Sequence, residues 1–386
     1  MNNPFKELDR YIPSADTQTE TLPGNPYLEV LPQRANSNPY EGSACPADIY
    51  DYLLPDGNYF GLYSDPYATL KYVDGPTSSS SGRHWLDMKT MDNSFTEREI
   101  SLLHFLIEHR LATTKQIVRA VFPDEPGKDV IKAFLKRNRN RGVLTALSWI
   151  TPLNDGRKKP IVYGLTRPGI TAAAELFHRN IPNGFTFIPT LFPNGMGPTM
   201  IPFFVDLAMN ELYCELKRID RLVSWQRTPH IPLPDGSHFF PGATVEVIKD
   251  AHESLRSFWV EVVRPSKEWL NRTRIRFERI ETAYTKLNDN SRPVRLIMIA
   301  DGDSRVPFLA ELAARYMPSV PILFTTDERL INGLNINTFL HYNTENKELK
   351  GSSVSFLQEG YSGMTASAYL EQMSANIQEE DLDDEW

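Results

Sequence analysis

Between Ser94 and Leu165 the chain repeats helix-start chemistry and then switches to strand chemistry, which constrains its fold more than any other stretch. Thr96-Glu97-Arg98-Glu99 is a capping box, in which a hydroxyl and a carboxylate satisfy backbone donors at a helix start. Ile100, Leu103, Leu106 and Ile107 follow at helical spacing, predicting a helix to about His109. Thr113-Thr114-Lys115-Gln116 repeats the signature, with Ile117, Val118 and Val121 on its apolar side and Pro123 and Pro126 closing it. A third helix is expected from about Gly127 to Arg141. Val130, Ile131, Phe134 and Leu135 form its core face; Lys128, Lys132, Lys136 and Arg139 lie opposite, with Arg137 and Arg141 flanking.

Leu147–Thr151 and Ile161–Leu165 then read as strands around a turn at Asn154-Asp155-Gly156, with Arg157, Lys158 and Lys159 at its tip. Three helices followed by a basic-tipped hairpin is the order of a winged helix-turn-helix. Such a unit lays its third helix in the major groove of double-stranded DNA while the hairpin reaches phosphates. The residues expected to touch DNA are Thr113, Thr114, Lys115, Lys128, Lys132, Lys136, Arg137, Arg139, Arg157, Lys158 and Lys159.

Charge supports this assignment, because the net −8 of the 386 residues hides a basic segment. Residues 1–90 carry a net −6, residues 91–180 a net +6, residues 181–342 are neutral and residues 343–386 carry −8. Local fields decide phosphate attraction over a Debye length of about 8 Å. The basic unit is therefore taken as 91–180, after an irregular Pro/Tyr-rich leader and linker over 1–90 that ends in Ser78-Ser79-Ser80-Ser81-Gly82. Repeats such as Asn25-Pro26-Tyr27 mark turns there. The end, Glu379 to Trp386, is an acidic tail of the kind that usually stays disordered. The leader or the tail offers a docking site for a protein partner. The first residues, MNNPFKELDR, lack the apolar run of a signal peptide, and no stretch reaches the ~20 apolar residues of a membrane span. Cys45 and Cys214 have no thiolate-zinc spacing. A cytoplasmic protein with no membrane contact is expected.

A Pro/Gly/Asn-rich connection leads to a second unit over 200–342. Pro202 opens a helix running to Leu216, and strands are expected at 221–225, 243–248, 257–263, 294–300 and 321–324. Helices over Trp269–Leu287 and Val306–Met317 separate the later strands, so the whole is a multidomain α+β and α/β chain. Arg272, Arg276 and Arg279 share a face of the first of these helices. They read either as a second set of phosphate contacts or as part of a solvated helix with internal ion pairs.

The order of short motifs resembles the replication-relaxation family, bacterial proteins of plasmids and integrative elements, over roughly 95–330. These motifs are Tyr163-Gly164-Leu165-Thr166 with Gly169, Leu207–Leu212, Phe240-Pro241-Gly242-Ala243, Phe258–Val262 and Tyr284. The resemblance implies a winged helix joined to a restriction-endonuclease-like α/β domain, and accessory DNA binding in plasmid replication or conjugative mobilisation. A metal-dependent nuclease of that fold needs an Asp on one strand and Glu/Asp-x-Lys on the next. Here Gly242 stands in the first position, and Glu261-Val262-Val263 lacks the lysine. Glu246 would serve as a carboxylate, and Arg264 or Lys267 as the cation, only in another register; Asp250 or Glu253 would need a loop to bring it in. The expectation is a non-catalytic domain with no metal and no cofactor, acting as scaffold, partner platform or the dimerisation surface of a homodimer. The rivals are a nuclease with a rearranged site and an assembly component docking through leader and tail. His230, Asp235 and His238 crowd one Pro/Gly loop and read either as a divalent-ion site or as solvent-facing loop residues; no nucleotide-binding loop is present.

Overall fold

The computed structural model describes residues 35, 37–75, 79–193, 195–248, 255–357 and 363–383, excluding the side chains of 79–81, 356 and 376–383. Asn25-Pro26-Tyr27, Asp250, Glu253, Ser78 and Trp386 lie outside these residues, as do the side chains of the acidic run from Glu379. The chain is a mixed α and β protein in two compact units: among the described residues the first holds 42–45 and 67–207, and the second holds residues up to 41, 46–66 and 208 onward. No helix among the described residues is long and apolar enough to cross a membrane.

In the first unit, strand β1 (Thr69–Tyr72) precedes helices α1 (Ser79–Met91) and α2 (Glu97–His109). Then come β2 (Leu111–Thr113), α3 (Thr114–Val121), α4 (Lys128–Asn140), β3 (Leu144–Ile150), β4 (Val162–Leu165) and α5 (Arg167–Phe177). Both predicted capping boxes form, at Thr96/Glu99 and Thr113/Gln116. The strands make one antiparallel sheet in the order β1-β3-β4-β2. Helix α2 buries Leu102, Leu103, Phe105, Leu106 and Ile107, α3 buries Ile117 and Val121, and α4 buries Ile131, Phe134 and Leu135. Val130, expected in the core, is 48% exposed, because the buried arc of α4 turns through Asn138 instead. Thr166 does not cap α5 through its side chain; its hydroxyl donates to the carbonyls of Gly142 and Val143.

The second half of the expected irregular leader is folded. Strand β1 pairs with β3, Leu70 opposite Trp149, and the segment expected as a flexible linker enters α1, which buries Trp85 and Leu86. Composition misleads here because proline-rich chain can still bury aromatics once tertiary partners exist: Tyr40, Tyr52, Phe60, Tyr63 and Tyr72 are all buried.

The unit boundary cuts α6 (Ile201–Arg218). The second unit continues with β5 (Leu222–Arg227), β6 (Ile231–Pro232), β7 (His238–Phe239), β8 (Ala243–Ile248), β9 (Leu255–Val262) and α7 (Trp269–Lys286). It ends with β10 (Arg295–Ala300), α8 (Val306–Tyr316), β11 (Ile322–Thr326), α9 (Asp327–Ile331), β12 (Leu340–Asn343), β13 (Glu348–Gly351) and α10 (Ala366–Asp383). Its sheet runs β13-β12-β11-β10-β9-β8-β5. An antiparallel meander, β5-β8-β9, adjoins a parallel trio, β9-β10-β11, whose crossovers are α7 and α8. Leu296 to Ala300 are fully or almost fully buried, as a central parallel strand requires.

Two boundaries differ from expectation. The sheet continues past residue 342 through the β12–β13 hairpin. The acidic end is helical to Asp383, because Asp220 anchors the start of α10: its carbonyl accepts from the Ala366 amide at 2.9 Å and its carboxylate from the Ser367 amide at 3.0 Å.

Candidate functional site

Helix α4 presents the densest exposed positive charge that the sequence singles out. Gly127 opens it, its apolar arc holds it to the first unit, and Lys128, Lys132, Lys136 and Arg137 face solvent. Lys132 lies 3.7 Å from Asp129 with both side chains largely exposed, a weak helical ion pair. The Arg137 guanidinium lies 5.7 Å from the Phe134 ring centre while its residue stays exposed. Lys115 is exposed on α3.

Several expected contact residues have structural work instead. Thr113 is 3% exposed, and its hydroxyl accepts from the Gln116 amide at 3.2 Å. It caps α3 from inside the unit and cannot reach a ligand, whereas Thr114 is half-buried. Arg139 forks onto Asp74, with Nε donating to Oδ2 at 3.1 Å, and the same carboxylate accepts from the Ala146 amide at 2.7 Å. That hydrogen bond holds the Arg139 guanidinium above its usual pKa, so the residue fastens α4 to the β1 end and to β3. At the hairpin tip Asp155 accepts from Lys159 at 2.6 Å and from Arg157 at 2.9 Å. Burial alone would raise the Asp155 carboxyl; these cations and the Arg157 amide hold it below its ordinary value. Gly156, at φ +67°, closes the turn. Lys158 is exposed and makes no ion pair among the described residues.

Gly242, Glu246 and Glu261, the positions compared with a nuclease motif, form no metal site among the described residues. Gly242 donates its amide to Glu261 Oε1 at 2.9 Å, and Arg276 donates through Nε to Oε2 at 3.1 Å and through Nη2 to Oε1. Both carboxylate oxygens are engaged by the protein. A Cβ at Gly242 would lie 2.5 Å from Met209 Cε and 2.7 Å from the Val260 carbonyl, so a carboxylate cannot project from this position as packed. Glu246 accepts from Ser224 Oγ at 2.7 Å and sits opposite Ser257. Four residues of strand separate Ser257 from Glu261, about 13 Å at the usual rise, too far for Glu246 and Glu261 to share one ion. No trio of His, Cys, Asp or Glu among the described residues is placed to hold a metal.

The three α7 arginines expected to share a face, Arg272, Arg276 and Arg279, do not act alike. Arg272 donates to Ser266 Oγ and to the Lys267 carbonyl, and burial pushes its pKa down. Arg276 belongs to Glu261, and also donates to the Phe240 carbonyl at 2.7 Å. Arg279 remains exposed, lining a groove of about 400 Å³ with His238, Phe239 and Ile275. In the neighbouring loop the His230 and His238 rings are 4.1 Å apart, while Asp235 is taken by Lys286 at 2.5 Å. The Lys286 hydrogen bond holds the Asp235 carboxyl far below the usual range.

One cluster escaped sequence reasoning. Arg264, Asp301 and Asp327 directly follow, or nearly follow, the carboxyl ends of β9, β10 and β11, where open α/β sheets usually take ligands. Arg264 Nη2 meets Asp327 Oδ1 at 2.5 Å with both side chains essentially unexposed, and Asp301 holds Arg305 at 3.2 Å. Arg305 also donates to the carbonyls of Tyr52 at 2.5 Å and Leu53 at 3.2 Å. Chain from the leader thus fills this crevice. Burial pushes Asp327 up to about 7 against the opposing pull of Arg264, and its Oδ2 has no hydrogen-bond partner. The apolar run before Asp301-Gly302-Asp303 was the available signal; the partners of these charges were not.

Family models, curated proteins and solved structures were all compared with the chain, and none matches it.

Proposed function

We propose that this chain binds duplex DNA without cutting it, through a winged helix-turn-helix over 91–180. The observation carrying the proposal is the exposed arc of α4, where Lys128, Lys132, Lys136 and Arg137 stand away from the core. The surrounding order is compatible with it: α2, a short strand, α3, α4, then two strands in which β4 pairs with both β3 and β2. In this assignment α4 is the groove-entering helix, and the 151–161 connection with exposed Lys158 is the wing. The second unit is read as a restriction-endonuclease-like domain without catalysis, supported by the closed space at Gly242 and the Arg276 guanidinium on Glu261. On the resemblance to the replication-relaxation family, the role is that of an accessory protein in plasmid replication or conjugative mobilisation, in the cytoplasm.

The test is duplex affinity across a salt titration, with and without Mg²⁺. Lys115, Lys128, Lys132, Arg137 and Lys158 would neutralise on the order of five phosphates, giving a slope of log K on log salt near −5. Lys128→Glu/Lys132→Glu should flatten that slope by about two, with DNA intact throughout. Cleavage in Mg²⁺ would overturn the non-catalytic assignment, and absent binding at low salt would overturn the DNA assignment itself.

A further inference from the structure

Helix α4 sorts its exposed residues by angle. At 100° per residue, the side chains directly opposite the buried Ile131, Phe134, Leu135 and Asn138 are Asp129, Ala133, Lys136 and Asn140, within about 60° of one another. All four are exposed, and Asp129 fully so. Lys128 and Lys132 flank this strip on one side and Arg137 on the other. A helix seated in a major groove turns the strip opposite its core toward base edges and its flanks toward the phosphate walls.

The chemistry of the strip differs from that of its flanks. The flanks carry only cations and Val130, whereas the strip holds an acceptor, a small apolar residue, an ammonium and a carboxamide. An aspartate has no use against phosphate, and an asparagine little. Each strip residue instead matches a major-groove feature: Lys136 the O6 and N7 of guanine, Asn140 the N6 and N7 of adenine. Ala133 matches the thymine methyl group, and Asp129 the N4 amine of cytosine. From Asp129 to Asn140 the helix rises about 16 Å, enough to pass roughly five base pairs.

We infer that Asp129, Ala133, Lys136 and Asn140 read base sequence, while Lys128, Lys132 and Arg137 hold phosphate. This rests on the proposed DNA binding and adds to it a sequence-specific duplex as the ligand. Lys136 and Asn140 discriminate, and the flanking cations supply affinity common to all sequences.

The experiment uses the full chain to select from a randomised duplex library, comparing wild type with Lys136→Ala, Asn140→Ala and Lys132→Ala. Affinity is then measured for the enriched duplex and a scrambled duplex of equal length across a salt titration. All three side chains are solvent-exposed, so circular dichroism should show unchanged folding. Wild type should enrich a consensus. Lys136→Ala and Asn140→Ala should each lower the enriched-to-scrambled ratio roughly tenfold or more, with scrambled binding changed less than about twofold. Lys132→Ala should weaken both duplexes alike and reduce the salt slope by about one, leaving the ratio unchanged. If Lys136→Ala and Asn140→Ala weaken both duplexes equally, or if wild type binds steeply with salt yet enriches no consensus, the inference falls and DNA binding stands. If wild type binds no duplex at low salt, both fall.

Discussion

Replacing Asp327 by asparagine should change how the stability of the second unit depends on pH, not only its size. The carboxyl is wholly buried, and burial, partly offset by Arg264, raises its pKa from 3.8 to about 7; nearby Asp301 and Glu211 push the same way. A folded-state value above the unfolded one means that the fold keeps a proton the unfolded chain has already lost. As pH rises through 4 the unfolded state begins to ionise while the folded state does not, so stability falls until about pH 7 and then levels. Three pH units at 1.36 kcal/mol each give a loss of about 4 kcal/mol over this window. Asp327→Asn cannot titrate and should lack this component, while its side-chain oxygen can still accept the Arg264 hydrogen bond made by the protonated wild-type carboxyl. Urea unfolding followed by the fluorescence of Trp225, Trp259 and Trp269, from pH 4.5 to 8, measures the difference between the two proteins. Wild-type stability should fall relative to that of the variant by most of that amount as pH rises. Parallel curves would mean that Asp327 is ionised throughout and that Arg264 outweighs burial.

Gly242→Asp should destabilise the protein by about 1–3 kcal/mol in thermal unfolding, because its Cβ meets Met209 and the Val260 carbonyl, and should yield no Mg²⁺-dependent nicking of a supercoiled plasmid. Thr113→Ala removes half of a capping box and should cost about 1 kcal/mol in urea unfolding while leaving the salt slope of duplex binding unchanged. Arg139→Ala should lower stability by about 1–3 kcal/mol, since Asp74 loses its charged partner, and likewise leave that slope unaltered; a slope reduced by one would return Arg139 to the phosphate contacts.

What was legible in the sequence was what local chemistry decides. The two capping boxes lie within four residues each, so Thr96/Glu99 and Thr113/Gln116 could be read directly and they set the starts of α2 and α3. Strands β8 to β11 were legible as apolar runs of the right length because both faces of a central strand are buried. Strand β1 was not, since Thr69–Tyr72 becomes a strand only by pairing with Leu147–Ile150, far along the chain. The site shows the same division. That α4 is basic on one side follows from spacing, but that Arg139 is spent on Asp74, 65 residues away, does not. Asp155, by contrast, sits two residues before Arg157 and four before Lys159, so neutralisation of the hairpin tip was within reach of the sequence.

In the proposed non-catalytic assignment of the second unit, a single substitution would not create a nuclease. Glu261 is nearly buried, and a carboxylate there requires compensation whatever its role. In a metal enzyme the ion would supply it; here the Gly242 amide and the Arg276 guanidinium do, occupying both oxygens. The absence of a side chain at 242 and the presence of an arginine at 276 are therefore coupled. A carboxylate at 242 meets Met209 and the Val260 carbonyl, and a metal placed beside Glu261 meets a cation already bound. Removing Arg276 alone leaves Glu261 without a counter-charge, and Gly242→Asp alone puts a side chain where there is no space. Building a metal site beside Glu261 would require changes at 209, 242 and 276 together, with a lysine two residues beyond Glu261 in place of Val263.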